Sequence, residues 1–199
     1  MRSLDLACFV RRVAITGAIA GVASAAFIAA ASVRATGSPA SGLNGASQVL
    51  WGRAATRVRR VDVHHTLVGL IVHHASAFWW AGIHENPRLR AFAPAAGLRA
   101  MLVMAAAAVL DYGVLPRRLS PGLEGQLSRR TIAAAFAVIG AGLALGSWIQ
   151  DRPLRLRASQ VRRLLGNGNA RPYEPAQATY VPGTIHTARA PLESVPGHH

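Results

Sequence analysis

Residues 63–84 read VHHTLVGLIVHHASAFWWAGIH, a stretch without any Asp, Glu, Lys or Arg. Asp62 precedes the stretch and Glu85 follows it, so a charge marks each end. A helix rises about 1.5 Å per residue, so this stretch is long enough to cross a hydrocarbon core about 30 Å thick. The sequence therefore predicts a membrane-spanning helix that carries its histidines within the bilayer.

Three further stretches predict spanning helices, at residues 13–33, 97–115 and 131–149. The stretch 97–115 is the weakest of them, because Arg99 and Asp111 lie inside it. A cleaved signal peptide is the alternative for residues 13–33, but its apolar region would be shorter, about 7–15 residues. We therefore predict an all-α integral membrane bundle of four transmembrane helices, formed by residues 13–150.

Composition supports a membrane protein over a soluble basic domain. The chain has 199 residues, of which 51% are hydrophobic, and a net charge of +14. All 22 basic side chains are arginines, and they flank the apolar stretches instead of clustering in a nucleic-acid-binding motif. We therefore expect the lipid bilayer and its anionic headgroups as partners, and no nucleic acid. The single cysteine, Cys8, excludes an intrachain disulfide.

The remaining segments divide the chain around the four spans. Residues 1–12 are predicted to be a cytoplasmic N-terminus, residues 47–58 a short interfacial helix, and residues 151–165 a basic amphipathic juxtamembrane segment. Residues 166–199 are rich in proline and glycine and predict a disordered tail. Arginine counts in the loops favour an orientation with both termini in the cytoplasm.

Two glycine pairs predict close helix packing. Gly17 and Gly21 are four residues apart in the first span, and Gly142 and Gly146 are four apart in the fourth. Small residues at this spacing let two helix backbones approach closely. The pattern leaves open whether the contact lies within one chain or between the chains of a homo-oligomer.

The second span collects polar residues on one helix face. At about 100° per residue, this face spans about 100° and holds His65, Ser76, His73 and His84. Asp111, near the end of the third span, is expected at the depth of His65. Ionisable residues within a span are costly and are often functional. We therefore predict a functional polar face of these five residues.

The chemistry of this face has three interpretations. It handles a proton, an ion or a ligand, or its histidines only hold the helices together, or it binds haem or a metal across a dimer. The ligands for the third interpretation would be His65, His73 or His74, but no two of them have the spacing that a metal site on one helix needs. The sequence has no nucleophile–base constellation, phosphate-binding glycine loop or paired carboxylates, so we predict neither an enzyme nor a resident cofactor.

Two groups of motifs stand out in and around the second and third spans. The first group is His65-Thr66-x-x-Gly69, His73-His74-Ala75-Ser76 and Phe78-Trp79, and the second is Asp111-Tyr112-Gly113 with Pro116-x-x-Leu119-x-Pro121-Gly122-x-Glu124. These motifs resemble those of uncharacterised small multipass inner-membrane proteins of bacteria. The resemblance covers residues 13–148 and implies a location in a bacterial inner membrane, but it implies no activity.

Overall fold

The architecture is taken from a computed structural model that describes residues 3–166, with side chains for residues 5–152, 159 and 160. This part of the chain is helical and contains no strand. Within the described part of the chain, the residues up to Ser159 form one compact unit. The helices are α1 (Ser3–Thr36), α2 (Ala40–Ala46), α3 (Gln48–Trp51), α4 (Val68–His84), α5 (Pro87–Phe92), α6 (Ala96–Val109) and α7 (Arg129–Gly166).

Four of these segments are long and apolar enough to cross a membrane, which confirms the predicted four-helix architecture. They are Asp5–Thr36, Val63–His84, Ala96–Val114 and Arg129–Arg152. The second and third include π-helical turns, Val63–Leu67 before α4 and Leu110–Val114 after α6. The predicted disordered tail, residues 166–199, lies outside the described residues except for Gly166, which ends α7.

Two helices extend beyond their predicted ends. α1 begins at Ser3 instead of residue 13, because residues 3–12 contain no Pro or Gly and the Arg12 side chain is buried in ion pairs. α7 runs without a break from the fourth span to Gly166, so the predicted juxtamembrane segment 151–165 continues the spanning helix.

The connection between α1 and α4 folds into the bundle. All seven residues of α2 are buried, and the predicted interfacial helix 47–58 is instead divided into α3 and a 3-10 turn, Gly52–Arg57. Asn44 links α2 to the segment after the 3-10 turn, since its Nδ2 donates hydrogen bonds of 3.0 Å to the carbonyls of Val58 and Arg60. A buried connection needs such partners for its backbone groups.

The glycine pairs lie where helices of the same chain pack against α1. A Cβ built on Gly142 would lie 2.6 Å from Ala20 Cα, and one on Gly146 would lie 2.7 Å from Thr16 Cα. Gly17 and Gly21 face α4, where the nearest groups are Phe78, His74 and Ala77. Thus α1 is the central helix, with α7 and α4 packed closely against it.

Asp62 caps the start of the second span. Its Oδ1 accepts a 2.7 Å hydrogen bond from the His65 backbone N–H and lies 3.0 Å from His65 Nδ1. These hydrogen bonds, the backbone one first, lower the pKa of Asp62 from 3.8 to about 2. The fold therefore favours the ionised carboxylate.

This cap predicts an acid-sensitive contribution to stability. Because the folded-state pKa is depressed, the contribution is present above pH 3.8 and is lost as the pH falls through about 2. We expect Asp62→Asn to unfold more readily than the wild type at neutral pH, and the difference to shrink as the pH approaches 2. Thermal unfolding of both proteins in detergent across this range measures it, and a difference that is independent of pH would contradict the assignment.

Candidate functional site

A cavity of about 100 Å³ lies inside the bundle, with walls from α2, α4, α6 and α7. We call it the inner cavity. Its walls are largely aliphatic and aromatic, and the polar residues among them are His73, Ser76, Asp111 and Ser120. Since a water molecule occupies roughly 10–15 Å³ of such volume, the inner cavity accommodates several waters or a small organic group.

A wider cavity of about 670 Å³, which we call the vestibule, adjoins the inner cavity. The two share Asp111, Ser120 and Phe136 as wall residues. The vestibule lies at the end of the bundle where α6 ends and α7 begins. This end also holds α2 and α3, and we call it the loop side.

His73 is oriented by α1. Its Nε2 lies 2.9 Å from Ser24 Oγ and 3.3 Å from the Gly21 carbonyl oxygen. Ser24 already donates its single hydroxyl proton to the Ala20 carbonyl at 2.7 Å. The network therefore places a proton on Nε2, which donates. In the neutral ring Nδ1 is then the acceptor, and it has no partner among the described residues.

Asp111 stands at the junction of the two cavities. It lies in the π-helical turn that follows α6, where the helix widens. Its carboxylate makes no hydrogen bond or ion pair with any described residue, although it is partly buried. A carboxylate in this position can accept hydrogen bonds from water or from a ligand in either cavity.

The structure brings together only part of the predicted polar face. His73, Ser76 and Asp111 line the inner cavity. His65 lies outside it and pairs with Asp62 instead of Asp111, because Asp62 is one helical turn away at the start of the same span. His84 is fully buried, and neither of its ring nitrogens has a partner among the described residues.

An apolar layer separates His84 from the inner cavity. It includes Ala81 of α4, Leu143 of α7 and Ala20 of α1, together with Ala100, Val103, Met104 and Ala107 of α6. On each helix these residues fall between the polar groups at the two ends of the bundle. Helical periodicity predicts His73 and His84 on one face of the span. They are eleven residues apart along the helix axis, however, and the apolar layer lies between them.

The other histidines of the second span make local contacts. His74 Nδ1 lies 2.9 Å from the Leu70 carbonyl, and its ring packs against Gly21 of α1. His64 is exposed, and its carbonyl accepts a hydrogen bond from Trp51 Nε1. Among the described residues, no three His, Cys, Asp or Glu side chains gather closely enough to hold a metal ion.

The largest feature that the sequence reasoning missed is a buried charge cluster at the opposite end of the bundle. Glu85 Oε2 accepts from Arg12 Nε at 2.8 Å and from Arg90 Nη1 at 2.9 Å. Asp151 Oδ1 pairs with the same two arginines, at 3.0 and 3.1 Å. We call these residues, with Arg99 and Ser147, the Arg12 cluster.

Arg99 belongs to this cluster without pairing directly with Glu85. Its guanidinium donates to the Ala93 and Pro94 carbonyls at 2.9 and 2.8 Å and to Ser147 Oγ at 2.8 Å. A signal for this cluster was present in the sequence. Antiparallel spans place Arg12, Glu85 and Asp151 at the same membrane face.

No protein-family model, curated protein or solved structure matches the chain. The class of protein therefore rests on the architecture itself. Four apolar helices of spanning length are compatible with a multipass membrane protein.

Proposed function

We propose that this chain is a multipass protein of a bacterial inner membrane that binds a small ligand in its inner cavity. The ligand enters through the vestibule and meets His73, Ser76 and Asp111. The observation that carries the proposal is a largely apolar cavity inside the bundle. Its few polar groups include the Asp111 carboxylate, which has no hydrogen-bond partner among the described residues, and the His73 imidazole, which contacts Ser24. Sites for small molecules are commonly apolar pockets with a few convergent polar groups.

Ligand binding fits the geometry better than proton conduction does. A proton relay needs hydrogen-bonding groups or waters along its whole length. Here the polar path from the vestibule ends near His73, and the apolar layer lies between it and His84. The Arg12 cluster ties four of the helices together at the far end. The cavity is thus open to one side and closed to the other, as in a binding site.

The proposed orientation places both termini, and with them the Arg12 cluster, on the cytoplasmic side. The loop side then faces the periplasm, and the ligand enters from there. Arginine distribution supports this arrangement. The resemblance to small inner-membrane proteins of bacteria supports the inner-membrane location.

The alternative function is helix assembly without a ligand. His74 favours it, because its ring lies against Gly21 at the contact of α1 and α4. That role accounts for His74, but leaves His73 Nδ1 and the Asp111 carboxylate unused.

Thiol labelling tests whether the inner cavity is hydrated. In a Cys8→Ser background, we expect Ser76→Cys to react with a charged, membrane-impermeant methanethiosulfonate reagent added from the loop side. Ala75→Cys is the matched control, since Ala75 is the neighbouring residue, is also exposed and does not line the cavity. Its thiol would face lipid and is expected to react much more slowly, because the thiolate is the reactive form.

Equal reactivity of the two variants would contradict the proposal. If neither reacts, the inner cavity is dry and sealed from the loop side. If both react rapidly, this part of α4 is not within lipid.

A further inference from the structure

Three arginines from separate elements converge on the vestibule. Arg53 belongs to the 3-10 turn after α3, Arg117 to the loop before α7, and Arg129 begins α7. None of their guanidinium groups forms an ion pair or a hydrogen bond with a described residue. This contrasts with the Arg12 cluster, where every guanidinium has protein partners.

The carboxylates of the vestibule do not neutralise these arginines by direct contact. Glu124 Oε1 lies 3.0 Å from Ser120 Oγ, and Asp111 has no partner among the described residues. With both carboxylates ionised, the residues that line the vestibule carry three positive and two negative charges. One positive charge is therefore left uncompensated, which favours binding of an anion.

The elements that carry the arginines are fixed to one another. Gln48 is buried, and its Nε2 donates to the carbonyls of Arg117 and Ser120 at 3.0 and 2.7 Å. Gln126 Nε2 donates to the Thr56 carbonyl and so ties the Arg53 turn to the segment before α7. A preorganised set of donors reduces the ordering cost of binding.

We propose that the vestibule binds a phosphate group, carried either by a phospholipid headgroup or by a soluble phosphorylated compound. Guanidinium groups recognise phosphate oxygens by paired, charge-assisted hydrogen bonds. A phosphodiester carries a single negative charge and matches the uncompensated charge of the vestibule. The apolar part of the same molecule extends past Phe136 into the inner cavity, and this second step rests on the proposed ligand-binding function.

Titration of the purified chain in an uncharged detergent tests the inference. The probes are dihexanoyl-phosphatidylglycerol and inorganic phosphate, and calorimetry measures their binding. We expect Arg129→Gln to weaken binding about tenfold, the effect of losing one hydrogen bond between charged groups. Arg130→Gln is the matched control, because Arg130 is adjacent on α7, is exposed and does not line the vestibule. We expect it to bind as the wild type does.

The two probes distinguish the source of the phosphate. Binding of the lipid alone, with dependence on Arg129, assigns the site to a phospholipid. Binding of inorganic phosphate with the same dependence assigns it to soluble phosphorylated compounds. The inference is overturned if neither probe binds, or if Arg130→Gln weakens binding as much as Arg129→Gln does.

Failure of this inference is distinguishable from failure of the proposed function. A reactive Ser76→Cys without phosphate binding leaves the inner cavity as a ligand site and removes the phosphate assignment. If phosphate binds but Ser76→Cys is as unreactive as Ala75→Cys, the vestibule remains a phosphate site. The inner cavity is then not part of the binding site.

Discussion

Replacing Glu85 by glutamine is expected to lower the free energy of unfolding by about 3–5 kcal/mol, the usual cost of breaking a buried ion pair on one side. The Glu85 side chain is fully buried and accepts from Arg12, Arg90 and Thr16. A neutral amide of the same size leaves these guanidinium groups with one buried counter-charge, Asp151. Denaturant unfolding of the purified protein in mild detergent measures the loss.

Glu124→Gln is the control for this variant. Glu124 is exposed, and its described contact is with Ser120. Its replacement is expected to change the free energy of unfolding by less than about 1 kcal/mol. If Glu85→Gln is no less stable than Glu124→Gln, the Arg12 cluster does not hold this end of the bundle together.

The Arg12 cluster also gives Ser147 an unusual role. Its Oγ lies 3.3 Å from Arg12 Nη2, 3.2 Å from Arg90 Nη1 and 2.8 Å from Arg99 Nη2. One hydroxyl oxygen of α7 thus lies within hydrogen-bonding distance of guanidinium groups from α1, α5 and α6. Breaking the cluster would therefore loosen several helices together, and this coupling closes the end of the bundle opposite the vestibule.

The spanning helices could be predicted from the sequence because their signal is local. A charge-free stretch such as residues 131–149 has the same meaning whatever its neighbours are. The predicted start of the first span, residue 13, is too late for the same reason. Arg12 is the charged residue immediately before the apolar stretch and therefore marks its boundary in the sequence. Only its contacts with Glu85 and Asp151 make it a buried residue.

The burial of α2 could not be predicted because it depends on tertiary contacts. Its sequence, ASGLNGA, is short and rich in small residues, which is typical of a loop. In the structure the small residues let its backbone approach other segments. A Cβ on Gly45 would lie 2.9 Å from the carbonyl carbon of Gly122, and Gly122 itself has a φ of +71°. No local pattern indicates which glycine will meet which.

The candidate site was partly predictable. Helical periodicity placed His73 and Ser76 on one face of α4, and the inner cavity brings both to Asp111 of the third span. Helical periodicity gives the face of a helix but not the position of a residue along the helix axis. The predicted polar face therefore also includes His65 and His84, which lie outside the cavity. The vestibule arginines were not found, because Arg53, Arg117 and Arg129 are far apart in sequence and meet only in the folded chain.

Replacing Gly69 by alanine is expected to destabilise the protein by about 1–3 kcal/mol, the range for overpacking a tight contact. A Cβ at this position would collide with the backbone carbonyl of Leu43, whose carbon lies 2.9 Å away. Backbone cannot move aside as a side chain can, so α2 would have to shift away from α4. Denaturant unfolding in detergent measures the loss, and labelling of Ser76→Cys in the Gly69→Ala background reports whether the cavity wall moves.

Gly82→Ala provides the matched control on the same helix. A Cβ built on Gly82 meets nothing within 4 Å, so this change only removes the flexibility of a glycine in a helix. It is expected to stabilise the protein by up to about 1 kcal/mol. The two substitutions are chemically identical and differ only in their surroundings, so they should have opposite signs. If Gly69→Ala is as stable as Gly82→Ala, α2 does not pack against α4 in the membrane, and the inner cavity loses the wall formed by Gly42, Leu43 and Ala46.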